Sequence, residues 1–118
     1  MKIFLICPVH NLNETEKTVM KKYVESWEEA GHTIHWPPRD TNQDDPTGIR
    51  IYADNRTALE NADEIHVWLD KDCEESRFYL GMAFALRKKI ALLNREAVTR
   101  TDGKSFGNVL LWYMINQW

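Results

Sequence analysis

Glu75 and Tyr79 stand four residues apart in a stretch of helical periodicity. That spacing puts a carboxylate and a phenol on one helix face, roughly 6 Å apart along the axis. A carboxylate can serve as nucleophile or base, whereas an ordinary phenol, with a pKa of about 10, keeps its proton at neutral pH. Just upstream, Asp70 closes an apolar run, and it either reaches a ligand or caps the turn that follows. Ser76 opens the helix, whose first amides form a natural anion site, although Glu74 and Glu75 oppose a phosphate there. His10 and Asn11 follow Pro8 and offer hydrogen bonds from a second turn; Asn11 equally suits the entry to a helix. Arg39, Arg50 and Arg77 are candidate phosphate partners, because a guanidinium fork matches phosphate oxygens. Asp54 either reaches a hydroxyl or belongs to a solvated helix face. The histidines at 10, 32, 35 and 66 form no helical pair and have no acidic partner at ligand spacing, so no metal site is expected. Cys7 and Cys73 likewise lack metal-ligand spacing and read as reduced thiols of a cytoplasmic protein.

These residues need elements to hold them. Lys2 to Cys7 is a continuous apolar run closed by Pro8, the pattern of a central strand buried on both faces. Asn13 and Glu16 have capping-box spacing ahead of Met20, Tyr23, Val24 and Trp27, which predicts a helix over residues 14–30. Thr33 to Trp36 is a short strand stopped by Pro37-Pro38. Residues 39–47 contain no apolar side chain and predict a long exposed loop, either functional or merely connecting. Asp45-Pro46 has the form of a cap and first-turn proline opening a helix whose stripe runs through Ile49, Tyr52, Arg56 and Leu59 to Ala62. Glu64 to Leu69 is a third strand. Residues 76–88 form a helix with Phe78, Met82, Ala85 and Leu86 on its stripe, Ile90 to Leu93 a fourth strand, and Phe106 to Met114 a last apolar helix.

Strands alternating with helices define an α/β, flavodoxin-like parallel sheet of four or five strands with helices on both faces, in the order 2-1-3-4. One domain over residues 1–118 is expected, since 118 residues with 43% hydrophobic composition suffice for one core. Ligands in such sheets sit beyond the carboxyl ends of the strands, at the switch point between strands 1 and 3. The turn after Cys7, the segment Asp70 to Ser76 and the turn after Leu93 should therefore meet there. Fifteen basic against eighteen acidic residues, a net charge of −3, argue against binding long nucleic acid. No apolar run approaches the length of a membrane span, and Met1 to Cys7 is too short for a secretory core. The acidic pair of a phosphoryl receiver, the hydroxyl-rich loop of a flavodoxin and the Gly-x-Gly-x-x-Gly of a dinucleotide fold are all missing after strand 1. No cofactor is expected.

The run Met1-Lys2-Ile3-Phe4-Leu5-Ile6-Cys7-Pro8 resembles the first strand and glycine-proline turn of nucleoside 2-deoxyribosyltransferase-like proteins, with Cys7 in the glycine's place. Asn55 to Asp70 resembles that family's next helix and strand. Phe78, Leu80-Gly81 and Ala83 through Ile90 are similar to its catalytic helix and the strand beyond, so the likeness follows nearly the whole chain in order. It implies cleavage or exchange of an N-glycosidic bond between base and sugar in a nucleoside or nucleotide. The family's nucleophilic carboxylate lies two residues before the glycine, where this chain has Tyr79. Three roles for Tyr79 follow: it stacks on a base in a non-catalytic nucleotide binder, or it leaves the carboxylate role to Glu75, or it acts as nucleophile beside a base. The resemblance further implies that Asp70 contacts base or sugar; by position, Asp54 is a candidate for a sugar hydroxyl, and His10 and Asn11, in the turn at Pro8, for a base or phosphate. It also implies that Asn108 enters a neighbouring subunit's pocket. With Trp112, Tyr113 and Trp118, this points to a homodimer.

Overall fold

The computed structural model describes residues 1–8 and 12–117; His10, Asn11 and Trp118 lie outside them. Four parallel strands form one sheet in the order β2-β1-β3-β4, comprising β1 (Lys2–Ile6), β2 (Thr33–His35), β3 (Glu64–Val67) and β4 (Lys89–Leu92). The helices are α1 (Glu14–Glu29), α2 (Pro37–Asp40), α3 (Ile49–Asn61), α4 (Glu74–Ala85) and α5 (Phe106–Asn116), with a 3-10 turn at Arg95–Ala97. Period-2 alternation sorts β1 between two cores. Phe4 and Ile6 face Leu59, Ile65, Val67, Leu80, Ala83 and Leu110 on one side. Ile3, Leu5 and Cys7 face Met20, Val24 and Ile34 of α1 and β2 on the other.

The Asn13 capping box is present, with the Asn13 Oδ1 accepting the Glu16 N–H at 2.7 Å. Three other expectations are corrected. Pro37 and Pro38 do more than end β2: they start the one-turn α2, because prolines pre-set helical φ and give up no needed N–H in a first turn. Asp45 does cap α3, but from a distance. Its carboxylate accepts the N–H groups of Arg50 (2.7 Å) and Ile51 (3.2 Å), while Gly48, at φ +79°, makes the bend that starts the helix at Ile49.

The third correction concerns which faces the helices bury. α3 buries Asn55 and Leu59 and leaves Ile49 and Arg56 in solvent; α4 buries Ser76, Leu80 and Ala83 and leaves Phe78 exposed. Small residues at Ser76 and Ala83, either side of Leu80, let α4 sit close on the sheet, and a polar Asn is tolerated inside α3 because it has partners there. α4 also begins two residues earlier than expected, at Glu74, where acidic side chains favour the positive end of the helix dipole. It ends at Ala85, and the Lys88 ammonium donates to the Glu60 and Ala62 carbonyls at 2.7 Å each, tying off the end of α3.

Two side-chain amides extend the sheet. Gln117 exchanges both hydrogen bonds with Ile90, covering the edge of β4. Buried Asn94 accepts the Leu69 N–H at 2.7 Å and donates to the Leu69 carbonyl at 2.8 Å, holding the chain just past β3. On the α1 face, the buried His66 bridges the Tyr23 hydroxyl (2.5 Å) and the Glu64 carboxylate (3.1 Å). Asn94→Ala leaves both Leu69 groups unpaired in the interior and should cost about 2–4 kcal/mol in denaturant unfolding. A cost within about 0.5 kcal/mol of zero would show that these bonds contribute nothing net.

Candidate functional site

A cavity of about 910 Å³ opens at the carboxyl end of β1. Its floor is Phe4 to Cys7, one wall is Gln43 and Asp45 to Gly48 with Ile51, Tyr52 and Asn55 of α3, and the other is Glu74 to Ser76 with Phe78 and Tyr79 of α4. The volume suits a small molecule of nucleoside size. Aromatic rings make a continuous side: Tyr52 and Phe78 lie 5.7 Å apart, Phe78 and Tyr79 5.7 Å, and Tyr79 and Phe4 6.1 Å. Such a surface offers π-faces to a planar ring.

Polar groups converge on it. Glu75 and Tyr79 both line the cavity, and Glu74 and Asp45 add two further carboxylates. Desolvation is the largest influence on Tyr79 and raises its pKa; the negative Glu75 and neighbouring Tyr52 push the same way, against a hydrogen bond from Asn55. The phenol is therefore held protonated, as a hydrogen-bonding group. Burial likewise raises the Cys7 thiol from its ordinary 9.0 to about 11, with Trp36 opposing and Cys73 assisting, so Cys7 lines the floor without being a thiolate. Desolvation tends to raise Asp45, but the N–H groups of Ile51, Thr47 and Arg50 outweigh it and hold the carboxyl below its ordinary range. Ser76 is 2% exposed, lines the cavity, and its hydroxyl has no hydrogen-bond partner among the described residues. An unsatisfied buried hydroxyl is costly, and a ligand atom would relieve it. Cys73 at the N-cap of α4 supplies no side-chain bond to the helix, although its thiol donates to Glu75 at 3.4 Å.

Of the residues anticipated from the sequence, the structure brings Glu75, Ser76 and Tyr79 to the cavity. Pro8 is buried next to the floor but is not part of the lining. Asp70 accepts the Asp72 N–H at 3.0 Å and shapes the 70–73 turn outside the lining. Asp54, Arg50 and Arg77 are exposed and also outside it. Arg39 is committed elsewhere: its guanidinium donates to Glu28 at 2.9 Å, to Asp40 at 2.7 Å and to the Ile34 carbonyl at 3.1 Å. Asn108 ties α5 to the preceding loop, accepting the Thr101 N–H and donating to the Thr101 and Gly103 carbonyls, each at 2.9 Å. His10 and Asn11 belong to the segment outside the described residues. Among the described residues no group of three His, Cys, Asp or Glu side chains could hold a metal ion.

The sequence did not single out Asn55, Tyr52, Gln43, Asp45 or Thr47 as site residues. Two signals were available: the apolar-free segment 39–47, which supplies Gln43 and Asp45 to Thr47, and an asparagine set four residues before Leu59 on the inner face of α3. No helix among the described residues is long and apolar enough to cross a membrane.

Comparison with solved structures places this architecture. The chain superposes on a 2-deoxyribosyltransferase from Bacillus psychrosaccharolyticus with a TM-score of 0.66, at 20% identity over 78% of this chain and 71% of that one. It also superposes on the CMP N-glycosidase BcmB of Clostridium botulinum with a TM-score of 0.66, at 16% identity over 97% of this chain and 82% of that one. The α/β parallel-sheet fold is thus the one those two proteins share. No protein-family model and no curated protein matches the chain in sequence.

Behind Tyr79, His35 is stacked on Phe4 with ring centroids 5.5 Å apart, and desolvation lowers its pKa from an ordinary 6.5. Asp40, Asn55 and Asp54 oppose that fall, and Arg39 adds to it. The fold favours the neutral ring, so this contribution to stability is full above pH 6.5 and is lost as pH falls through the lower folded value. Unfolding free energy measured against pH should decline on the acid side of 6.5, and His35→Gln should flatten that decline. An unchanged slope in the variant would mean that another group titrates there.

Proposed function

We propose that this protein binds a nucleoside or nucleotide in the β1 cavity and cleaves or transfers its N-glycosidic bond, with Glu75 as the working carboxylate. The observation that carries this reading is the placement of Glu75 and Tyr79, one helical turn apart, in the lining of one cavity walled by aromatic rings. The two structural neighbours are named for a 2-deoxyribosyl transfer and for cleavage of CMP, which supports glycosidic chemistry on this fold in general. In the reaction, the bond from the anomeric carbon to the base nitrogen breaks and its electron pair leaves with the base. Glu75 stabilises or captures the oxocarbenium-like carbon, and water or an acceptor base then takes the sugar. In hydrolysis the water supplies hydroxyl to the sugar and a proton to the base. Tyr79 stays protonated and hydrogen-bonds the ligand, Ser76 offers a further hydroxyl, and Phe78 and Tyr52 flank the base. In this reading Asp70 shapes the corner from which α4 starts, and Pro8 lies buried beside the floor.

A second reading, a nucleotide binder without turnover, is favoured by the phenol at position 79, because a protonated phenol cannot replace a nucleophilic carboxylate. Incubation with nucleosides and nucleoside monophosphates, with chromatography for free base, separates the two. Base release that falls about 100-fold or more in Glu75→Gln, and only about 10-fold in Tyr79→Phe, is expected for the enzyme. Ligand binding with no base release by the wild-type protein would establish the binder instead.

The reading includes a homodimer through α5, whose Val109, Trp112 and Ile115 are 50%, 64% and 75% exposed and form one apolar stripe. Sedimentation should give twice the chain mass for the wild type and a monomer for Trp112→Glu. A wild-type monomer at micromolar concentration would remove this part of the proposal.

A further inference from the structure

A part-buried chain of hydrogen bonds leads from β2 through Thr41 and α3 to the cavity. His35 Nε2 lies 2.8 Å from Thr41 Oγ1, Thr41 Oγ1 lies 2.5 Å from Asn55 Oδ1, and Asn55 Nδ2 lies 3.2 Å from Tyr79 Oη. Thr41 and Asn55 are 5% and 3% exposed. Such residues inside a core are retained only where every polar atom is satisfied, and here the satisfied atoms impose a direction.

An amide donates only through nitrogen and accepts only through oxygen. Thr41 has one proton and gives it to Asn55 Oδ1, so its oxygen accepts from the His35 Nε2–H. Asn55 Nδ2 then donates to the Tyr79 oxygen. A phenol oxygen that accepts from inside the protein has its own proton left over, and Tyr79 lines the cavity. The same lining holds Glu75, one turn earlier on α4, so the proton is offered to a space shared by a carboxylate and any bound ligand.

We propose that Asn55 is a positioning residue that turns the Tyr79 hydroxyl proton into the cavity, making Tyr79 a fixed hydrogen-bond donor and selecting ligands with an acceptor there. On a nucleoside this means a base carbonyl, an unprotonated ring nitrogen or a sugar hydroxyl. The inference rests on the nucleoside-binding reading above and adds the residue that sets the polarity of that site. Thr41 and His35 act one and two bonds further back, by keeping the Asn55 amide from rotating.

The test is a double-mutant cycle between positions 55 and 79, read by calorimetric binding of the tightest nucleoside in a standard panel. Tyr79→Phe should weaken binding about tenfold in the wild-type background and less than about twofold when Asn55→Leu is already present, because the donor is then no longer aimed. Asn55→Asp, which replaces the inner donor by an acceptor and draws the phenol proton inward, should lose as much affinity as Tyr79→Phe. A full additional loss from Tyr79→Phe in the Asn55→Leu background would overturn the proposal, and circular dichroism identifies any variant that fails to fold, in which case the remaining variant decides. If no nucleoside or monophosphate binds the wild-type protein, the functional reading fails separately. Titration of ring-labelled tyrosine by carbon NMR then decides the present inference: Asn55→Leu must raise the Tyr79 midpoint, since a donor to the phenolate has gone, and an unmoved midpoint refutes it.

Discussion

The close approach of α4 to β1 is the constraint on which the candidate site depends. Leu80 and Ala83 are fully buried against Phe4 and Ile6, and Ser76 continues that inner face to the first turn. Interiors pack densely and tolerate little volume change, so an inner face of one leucine between a serine and an alanine fixes both the distance of α4 from the sheet and its rotation. With Ser76, Leu80 and Ala83 turned inward, Glu75, Phe78 and Tyr79 come to the cavity. The same close seating buries the Ser76 hydroxyl without a partner among the described residues, beside a space that a ligand can fill.

Charge in the cavity follows from a similar division. The lining brings three carboxylates, Asp45, Glu74 and Glu75, and contains no lysine or arginine among the described residues. Asp45 is occupied by the backbone of α3, and Glu75 is the carboxylate that acts on the phenol. Desolvation and the neighbouring negative charge keep Tyr79 protonated, so a carboxylate and a neutral donor stand side by side. That pairing of one anion with one hydrogen-bond donor is a chemically useful one for an oxocarbenium-like centre and its departing base.

Much of the frame was legible because it rests on local patterns. The apolar run Lys2 to Cys7, the Asn13 capping box and the alternation of strands with helices led to the observed parallel sheet and its order, since buried parallel strands and capped helices leave strong one-dimensional signals. The errors were of helix phase. A stripe through Phe78 and Leu86 reads as the inner face of α4 because it is apolar, yet Phe78 is exposed and so is Leu86, just past the end of that helix. Hydrophobicity alone could not reveal that packing distance favours Ser76 and Ala83, or that an aromatic ring was needed at a cavity mouth. Asn55 was passed over for the converse reason: a polar residue reads as exposed until its partners, Thr41 at 14 residues and Tyr79 at 24 residues distance in sequence, are seen around it.

The sequence by itself determined the layer architecture, the strand order and the presence of the helix that bears Tyr79, though not its first turn with Glu75, because periodicity, caps and turn residues act between near neighbours. Tertiary structure decided which of the candidates share a space. It gathered Glu75, Ser76 and Tyr79 with Asn55, Tyr52 and the 43–48 segment, and it bound Arg39 to Glu28 and Asp40 and Asn108 to the 101–103 loop. The physical reason is that helix rotation is set by summed packing against a sheet and that hydrogen bonds choose partners by distance in space. Neither quantity is carried by the spacing of residues along the chain.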